Sequence, residues 1–158
     1  MREEEPVEIR FAQEDEWEEA MGLAWKTFLE CEAGDYTPEG VRSFEDFVTD
    51  SRLRRMFLLG EYRMLVARHG GRLVGMITLR DKTHISLLFV EKSCHRKGIG
   101  RALIARMADY VRRTSGCRRL TVNASPYGTA FYHRIGFRDL ESERRQNGII
   151  FTPMEYIW

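Results

Sequence analysis

HISLLFVEKSCHRKGIGRAL, residues 84–103, decides the fold. Residues 84–90 form an apolar run of strand length, followed by a short basic turn and two glycines one residue apart. From Ile99 the apolar positions Leu103, Met107 and Tyr110 or Val111 recur at helical spacing, and Gly116 is a stop signal. A strand that runs through glycines into a helix builds a site for an anion. The first N–H groups of the helix have no internal partner, and the helix dipole adds positive charge at the same place. Gly98 and Gly100 let the backbone approach a phosphate and take unusual dihedrals, and Arg96, Lys97 and Arg101 supply counter-charge.

Working outward, residues 7–11 alternate as a first strand, and Trp17, Met21, Trp25 and Phe28 mark an amphipathic helix over 14–31. Thr37-Pro38 reads as a capped helix start whose buried face carries Val41, Phe44 and Val48. Residues 65–68 and 73–79 are strands joined at His69-Gly70-Gly71, a hairpin signal. After the glycine loop come a strand at 120–123, a short helix at 127–134 and a strand at 137–141. Asn147-Gly148 then turns the chain into a last strand, 149–157, where Pro153 predicts a bulge or an edge position. Strands that alternate with helices and finish as hairpins indicate an α/β domain with a mixed sheet. No linker or repeat interrupts residues 1–158, which read as one domain.

Composition narrows the function classes. The chain has 158 residues, 43% of them hydrophobic, enough for one core. No stretch is apolar enough to span a membrane, and the N-terminus MREEEPVEIRF lacks the apolar region of a signal peptide. Cys31, Cys94 and Cys117 lack metal-ligand spacing, so the expectation is reduced thiols in a cytoplasm and no metal. Residues 1–50 carry sixteen carboxylates against four Lys and Arg, whereas the rest of the chain carries eight against twenty-one. That asymmetry suits two ligands of opposite sign, an anion on the basic part and a cationic amine on the acidic part. The alternative is that Glu3–Glu5 and Glu14–Glu19 only decorate a disordered end and a solvated helix face; both readings stand at this point. Arg112, Arg113, Arg118, Arg119, Arg144 and Arg145 would attract phosphates, but no nucleic-acid motif or aromatic interleaving accompanies them, so no nucleic-acid partner is expected.

The run R96-K97-G98-I99-G100-R101-A102 resembles the acyl-CoA pyrophosphate loop of the GNAT superfamily of N-acetyltransferases. The segment L120-T-V-N-A-S-P-Y-G-T-A-F-Y-H-R-I-G-F137 resembles that family's later strand and helix, which end in an FY…GF signature. The position three before Gly98, often Gln or Arg in the family, is His95 here. The resemblance implies a mixed, mostly antiparallel sheet of six or seven strands flanked by helices, with parallel fourth and fifth strands that splay apart. It implies acetyl-CoA as co-substrate, with Arg96, Lys97, Gly98, Ile99, Gly100 and Arg101 at the pyrophosphate. The backbone of Leu88, Phe89 and Val90 would hold the pantetheine arm, with Asn123 or Ser125 as a further polar contact. The expected reaction moves an acetyl group to a primary amine, of a small molecule or a peptide, by direct attack in a ternary complex. Many relatives dimerise, so a homodimer is an expectation too.

Two catalytic positions follow from the resemblance. Tyr132 matches a tyrosine that many members use to protonate the leaving thiolate; its other reading is a helix aromatic packed on Phe131 and Phe137. His84 stands where some members carry a glutamate base. Its ordinary pKa near 6.5 suits that role, and strand parity with Ser86, Leu88 and Val90 would turn it into the splay. Glu32, Asp35, Glu45, Glu91 and a water chain are the fallback bases. The departure at His84 also leaves open a module that binds acyl-CoA with little or no turnover.

Overall fold

A computed structural model describes residues 6–158, and its centre is a strand covered on both sides. In β3 (Arg72–Arg80) every residue between the two arginines is buried. A continuous apolar run of this kind requires a layer against each face. The chain supplies them in the order β1 (Glu8–Phe11), α1 (Trp17–Cys31), α2 (Pro38–Val48), α3 (Ser51–Leu58), β2 (Arg63–His69), β3, β4 (His84–Val90), α4 (Ile99–Ser115), β5 (Arg119–Ala124), α5 (Thr129–Ile135), β6 (Arg138–Asp139), β7 (Arg144–Gln146) and β8 (Ile149–Ile157). Residues 1–5, including Glu3–Glu5 and the first part of the sequence read for a leader, lie outside the described residues.

The sheet order is β1-β2-β3-β4-β5-β8-β6, with β7 also on β8. Neighbours are antiparallel except β4 and β5, which are parallel. The mixed, mostly antiparallel sheet is therefore as expected, with eight strands rather than six or seven. Helices α1–α3 cover one face, where Trp17, Phe28 and Leu53 meet Met64, Val66, Met76 and Phe89. Helices α4 and α5 cover the other, where Leu103, Met107 and Tyr132 meet Leu65, Ala67, Ile77 and Leu120. The alternation of Met64 and Val66 against Leu65 and Ala67 is the two-residue period of a strand between two layers.

Local signals act as the chemistry demands. Thr37 Oγ1 accepts from Gly40 N at 3.2 Å with Pro38 opening α2. Gly70 and Gly71 both take positive φ in the two-residue β2–β3 turn. Gly116 ends α4 in the left-handed region. Besides the strand count, three features differ from the sequence expectations. Helix α3 was not expected; its run SRLRRMFL buries only Leu53, and Asp50 caps it through Arg52 N at 2.8 Å. The strand expected at 137–141 is only Arg138–Asp139, because Phe137 N donates back to Tyr132 O at 3.0 Å and closes α5. Pro153 occupies neither an edge nor a bulge: it pairs in unbroken register opposite Asn123, and its carbonyl accepts from Leu140 N at 2.8 Å. At the C-terminus, Trp158 stacks on Tyr156 with ring centroids 5.4 Å apart, whereas Ile157 is exposed.

The parallel pair positions the site. β4 and β5 pair only at His84 with Thr121 and Ile85 with Val122. Beyond these, β4 stays with β3 as far as Val90 while β5 follows β8, so a wedge opens between them. The β3–β4 register skips Ser86, passing from Leu87 opposite Thr78 to Ile85 opposite Leu79. Such a bulge bends the strand and reverses its side-chain parity. Ile85 consequently shares the α4–α5 face with Leu88 and Val90, whereas Leu87 and Phe89 face α1–α3.

Candidate active site

The wedge widens into a groove of about 860 Å³, lined by β4 from Ile85 to Val90, the C-terminal end of α1, the start of α4, and the β5–α5 segment. It brings together Leu88, Phe89, Val90, Arg96, Gly98, Ile99, Gly100, Arg101, Asn123, Ser125 and Tyr132. Lys97 and His84 are not among its lining residues. For His84 the cause is the bulge at Ser86, which breaks the parity that would have turned it into the wedge. The imidazole lies at the closed end, with Nδ1 2.8 Å from Thr121 Oγ1. Burial and the nearby Arg80 charge push its pKa below the ordinary value, partly offset by Asp81.

The floor offers backbone groups selectively. Glu91 N bonds to Val74 O at 2.8 Å on the β3 side. Alternation along the strand then turns Phe89 toward β3 and leaves the amides and carbonyls of Leu88 and Val90 facing the gap. The Val90 carbonyl already accepts from His95 Nε2 at 2.7 Å, and His95 Nδ1 accepts from Tyr127 OH at 3.2 Å. Leu88 thus keeps both backbone groups for a ligand, and Val90 keeps its N–H.

At the wide end, Gly98 caps α4 with φ of 80°, and a Cβ there would meet nothing within 4 Å. The first intrahelical bond of the segment runs from Ala102 N to Gly98 O at 3.0 Å, so the N–H groups of Ile99, Gly100 and Arg101 remain free. Arg96 also has positive φ, which curls the loop around these donors. Gly100 also has a packing role: a Cβ there would lie 2.9 Å from Phe131 Cζ, and the ring would have to shift. The donor set fits a diphosphate, with uncapped amides at a helix start and Arg96 and Arg101 exposed beside them.

The narrow end holds the ionisable groups. Tyr132 is 7% exposed, packed edge-on to Phe131 and Phe137, and turned to the groove. Burial, reinforced by the Glu32 charge, holds its phenol well above the ordinary range, so it stays protonated. Ser125 Oγ accepts from Gly128 N at 3.2 Å and also faces Glu32. Burial pushes the Glu32 carboxyl up to about 7; the nearby Ser125 hydroxyl opposes this and the Asp35 charge adds to it. Glu32 had been only a fallback base. The signal that singles it out is local: a carboxylate just past a helix C-terminus sits at the negative end of the dipole, where it is disfavoured.

Tyr62 had no sequence signal, and Ser86 had only its strand parity with Leu88 and Val90. Leu87 N donates to Thr78 Oγ1 at 2.9 Å, and the fully buried Tyr62 hydroxyl lies 2.7 Å from that oxygen and 3.0 Å from Ser86 Oγ. With Tyr62 donating to Ser86, Thr78 must donate to Tyr62, and the Ser86 hydroxyl hydrogen is left for the groove it lines. Four of the six C-terminal arginines raised for phosphate attraction, and Arg138, are spent on internal ion pairs. Arg112 and Arg113 pair with Asp109, Arg119 and Arg138 with Glu155, and Arg144 with Glu141. Among the described residues no helix is long and apolar enough to cross a membrane, and no cluster of three or more His, Cys, Asp or Glu is placed to hold a metal.

Comparison with known proteins adds three findings. The model of a family described as an acetyltransferase (GNAT) domain matches residues 32–158. A glucosamine 6-phosphate N-acetyltransferase of Trypanosoma brucei brucei is 33% identical over 76 residues, which make up 48% of this chain and 46% of that enzyme. The match therefore spans about half of that relative's length. Among solved structures, a GCN5-related N-acetyltransferase from Rhodopseudomonas palustris has a TM-score of 0.82 at 20% identity, covering 100% of this chain and 99% of its own. The PaiA N-acetyltransferase of Thermoplasma acidophilum, in complex with coenzyme A, has a TM-score of 0.80 at 20% identity, over 97% of this chain and 99% of its own. At such identities these two structures establish the fold.

Proposed function

The chain belongs to the GNAT acetyltransferase-domain family, and from that premise we propose that it transfers the acetyl group of acetyl-CoA to a primary amine by direct attack in a ternary complex. The observation that carries this reading is the wedge between β4 and β5, which joins free helix-start amides at Gly98 to a buried, protonated Tyr132. Acetyl-CoA supplies a thioester, with an electrophilic acyl carbon and a sulfur leaving group. The loop from Arg96 to Arg101 would hold the pyrophosphate, and the Leu88 backbone would align the arm. Tyr132 would give its proton to the departing sulfur. A cationic acceptor is favoured because Glu32 lines the groove at the negative end of the α1 dipole, with the Asp35 charge close by. The amines to test first are polyamines, lysine peptides and glucosamine 6-phosphate, the last from the T. brucei relative.

The displacement of His84 from the groove is the observation that favours the second reading, an acyl-CoA-binding module with little or no turnover. Calorimetry with acetyl-CoA, desulfo-CoA and adenosine, followed by thiol release with the amine panel, separates the two. The transfer reading expects micromolar binding that needs the pyrophosphate, and amine-dependent release of free thiol. Binding without release on any amine supports the module. Absence of binding removes both.

A further inference from the structure

We propose that Glu32, at the C-terminal end of α1, is the group that takes the proton from the acceptor amine. This rests on the acetyl-transfer reading. Among the described residues that line the groove, Glu32 is the only carboxylate. The one imidazole there, His95, is committed at both nitrogens, to Val90 O and to Tyr127 OH. The other titratable lining groups are thiols, phenols and arginines.

The surroundings of Glu32 suit the task. On its own element stand Cys31 and, one turn on, Asp35 and Tyr36; across the groove stand Ser125 and Tyr127 of the β5–α5 loop and Tyr132 of α5. Arg96 acts on this cluster through Tyr127. No Lys or Arg pairs with Glu32 among the described residues, so its charge is not neutralised in place. A carboxyl held at about 7 is half ionised near neutral pH. It can therefore accept a proton and release it within one turnover.

The step balances as follows. The Glu32 carboxylate removes one proton from the bound ammonium and frees its lone pair. That lone pair forms the N–C bond as the C–S bond breaks, and the Tyr132 phenol gives its proton to the sulfur. The surplus proton on nitrogen restores the phenol, and Glu32 passes its proton to solvent. One turnover yields amide, free thiol and one proton.

The test compares wild type with Glu32→Gln and Glu32→Asp. For wild type, kcat/KM should rise with pH to an inflexion near 7. Glu32→Gln should lose that inflexion and about 10²–10³-fold in kcat/KM, with acetyl-CoA affinity and the NMR fingerprint of the fold retained. Glu32→Asp should recover part of the rate. A second readout needs no turnover: the carboxyl carbon of Glu32, assigned by its loss in Glu32→Gln, should titrate near pH 7 in the free protein. Equal activity in Glu32→Gln, or titration in the ordinary carboxylate range, overturns the proposal alone. A wild type that binds acetyl-CoA yet acetylates nothing overturns the transfer reading and the proposal with it.

Discussion

Helix α1 carries a glutamate at each end, buried at Glu16 and half-buried at Glu32, and the two behave oppositely. Glu16 stands at the N-terminal end, where the dipole favours a negative charge. It accepts from Arg10 at 2.6 Å, Arg68 at 2.8 Å and Gln13 N at 2.7 Å, and these partners hold its carboxyl at about 2. Glu32 stands at the other end with no cation beside it, and burial raises it to about 7. One side-chain type on one helix becomes a structural anion at one terminus and a proton acceptor at the other. What differs is the supply of donors, and with it the sign of each residue's contribution to stability.

Glu32→Gln should break the contrast most strongly, because activity and stability should move apart. The folded protein binds the Glu32 proton more tightly than the unfolded chain does. Its favourable contribution is therefore present below the ordinary carboxylate pKa of 4.5 and is lost as pH rises through about 7. Above pH 7 the fold bears the burial of a carboxylate. The amide should then stabilise the protein by about 2 kcal/mol at pH 8 and by nothing measurable at pH 4. Thermal melts of both proteins at the two pH values, set beside the loss of turnover, read this directly.

Glu16→Gln should do the reverse. The folded state holds Glu16 ionised, so its contribution is full above pH 4.5 and is lost as pH falls through about 2. With one side of the site open to solvent through Arg10, the loss at pH 7 should be about 2 kcal/mol. Denaturant melts should show that deficit at pH 7 and see it shrink in acid, with kcat per folded molecule unchanged. A Glu16→Gln protein that loses activity while remaining folded would erase the distinction between the two termini.

The same contrast marks what the sequence could reveal. Both glutamates lie in the acidic first fifty residues, for which a solvated surface and an amine attractor were both open readings. The structure divides that stretch: Glu16 and Glu19 are spent on Arg68 and Arg10, and only Glu32 reaches the groove. The wedge and its loop were legible because residues 84–103 join a strand to a helix through Gly98, whose left-handed conformation few other residues adopt. Helix α3 was hidden because Arg52, Arg54 and Arg55 dilute its apolar face, and β7 because Arg144–Gln146 is exposed throughout. The misplacement of His84 has a sharper cause. Parity extrapolates a regular strand, and a one-residue bulge at Ser86, which leaves no mark in composition, reverses it.

Tyr132 and His84 complete the comparison at the wedge itself, one lining the groove and one at the closed end. Tyr132→Phe keeps the packing on Phe131 and Phe137 and removes only the proton, so kcat should fall about 10–100-fold with acetyl-CoA affinity within twofold. His84→Gln should do least. Its side chain meets Thr121 where β4 and β5 are still paired, and it reaches no part of the groove. Glutamine can keep a hydrogen bond to that hydroxyl, so stability should change by less than about 1 kcal/mol and kcat/KM by less than about threefold. The pH inflexion near 7 should also persist in His84→Gln and vanish only in Glu32→Gln. An inflexion that disappears with His84 instead would return the proton to the closed end of the wedge, and would mean that the Ser86 bulge does not turn that imidazole away from the reaction.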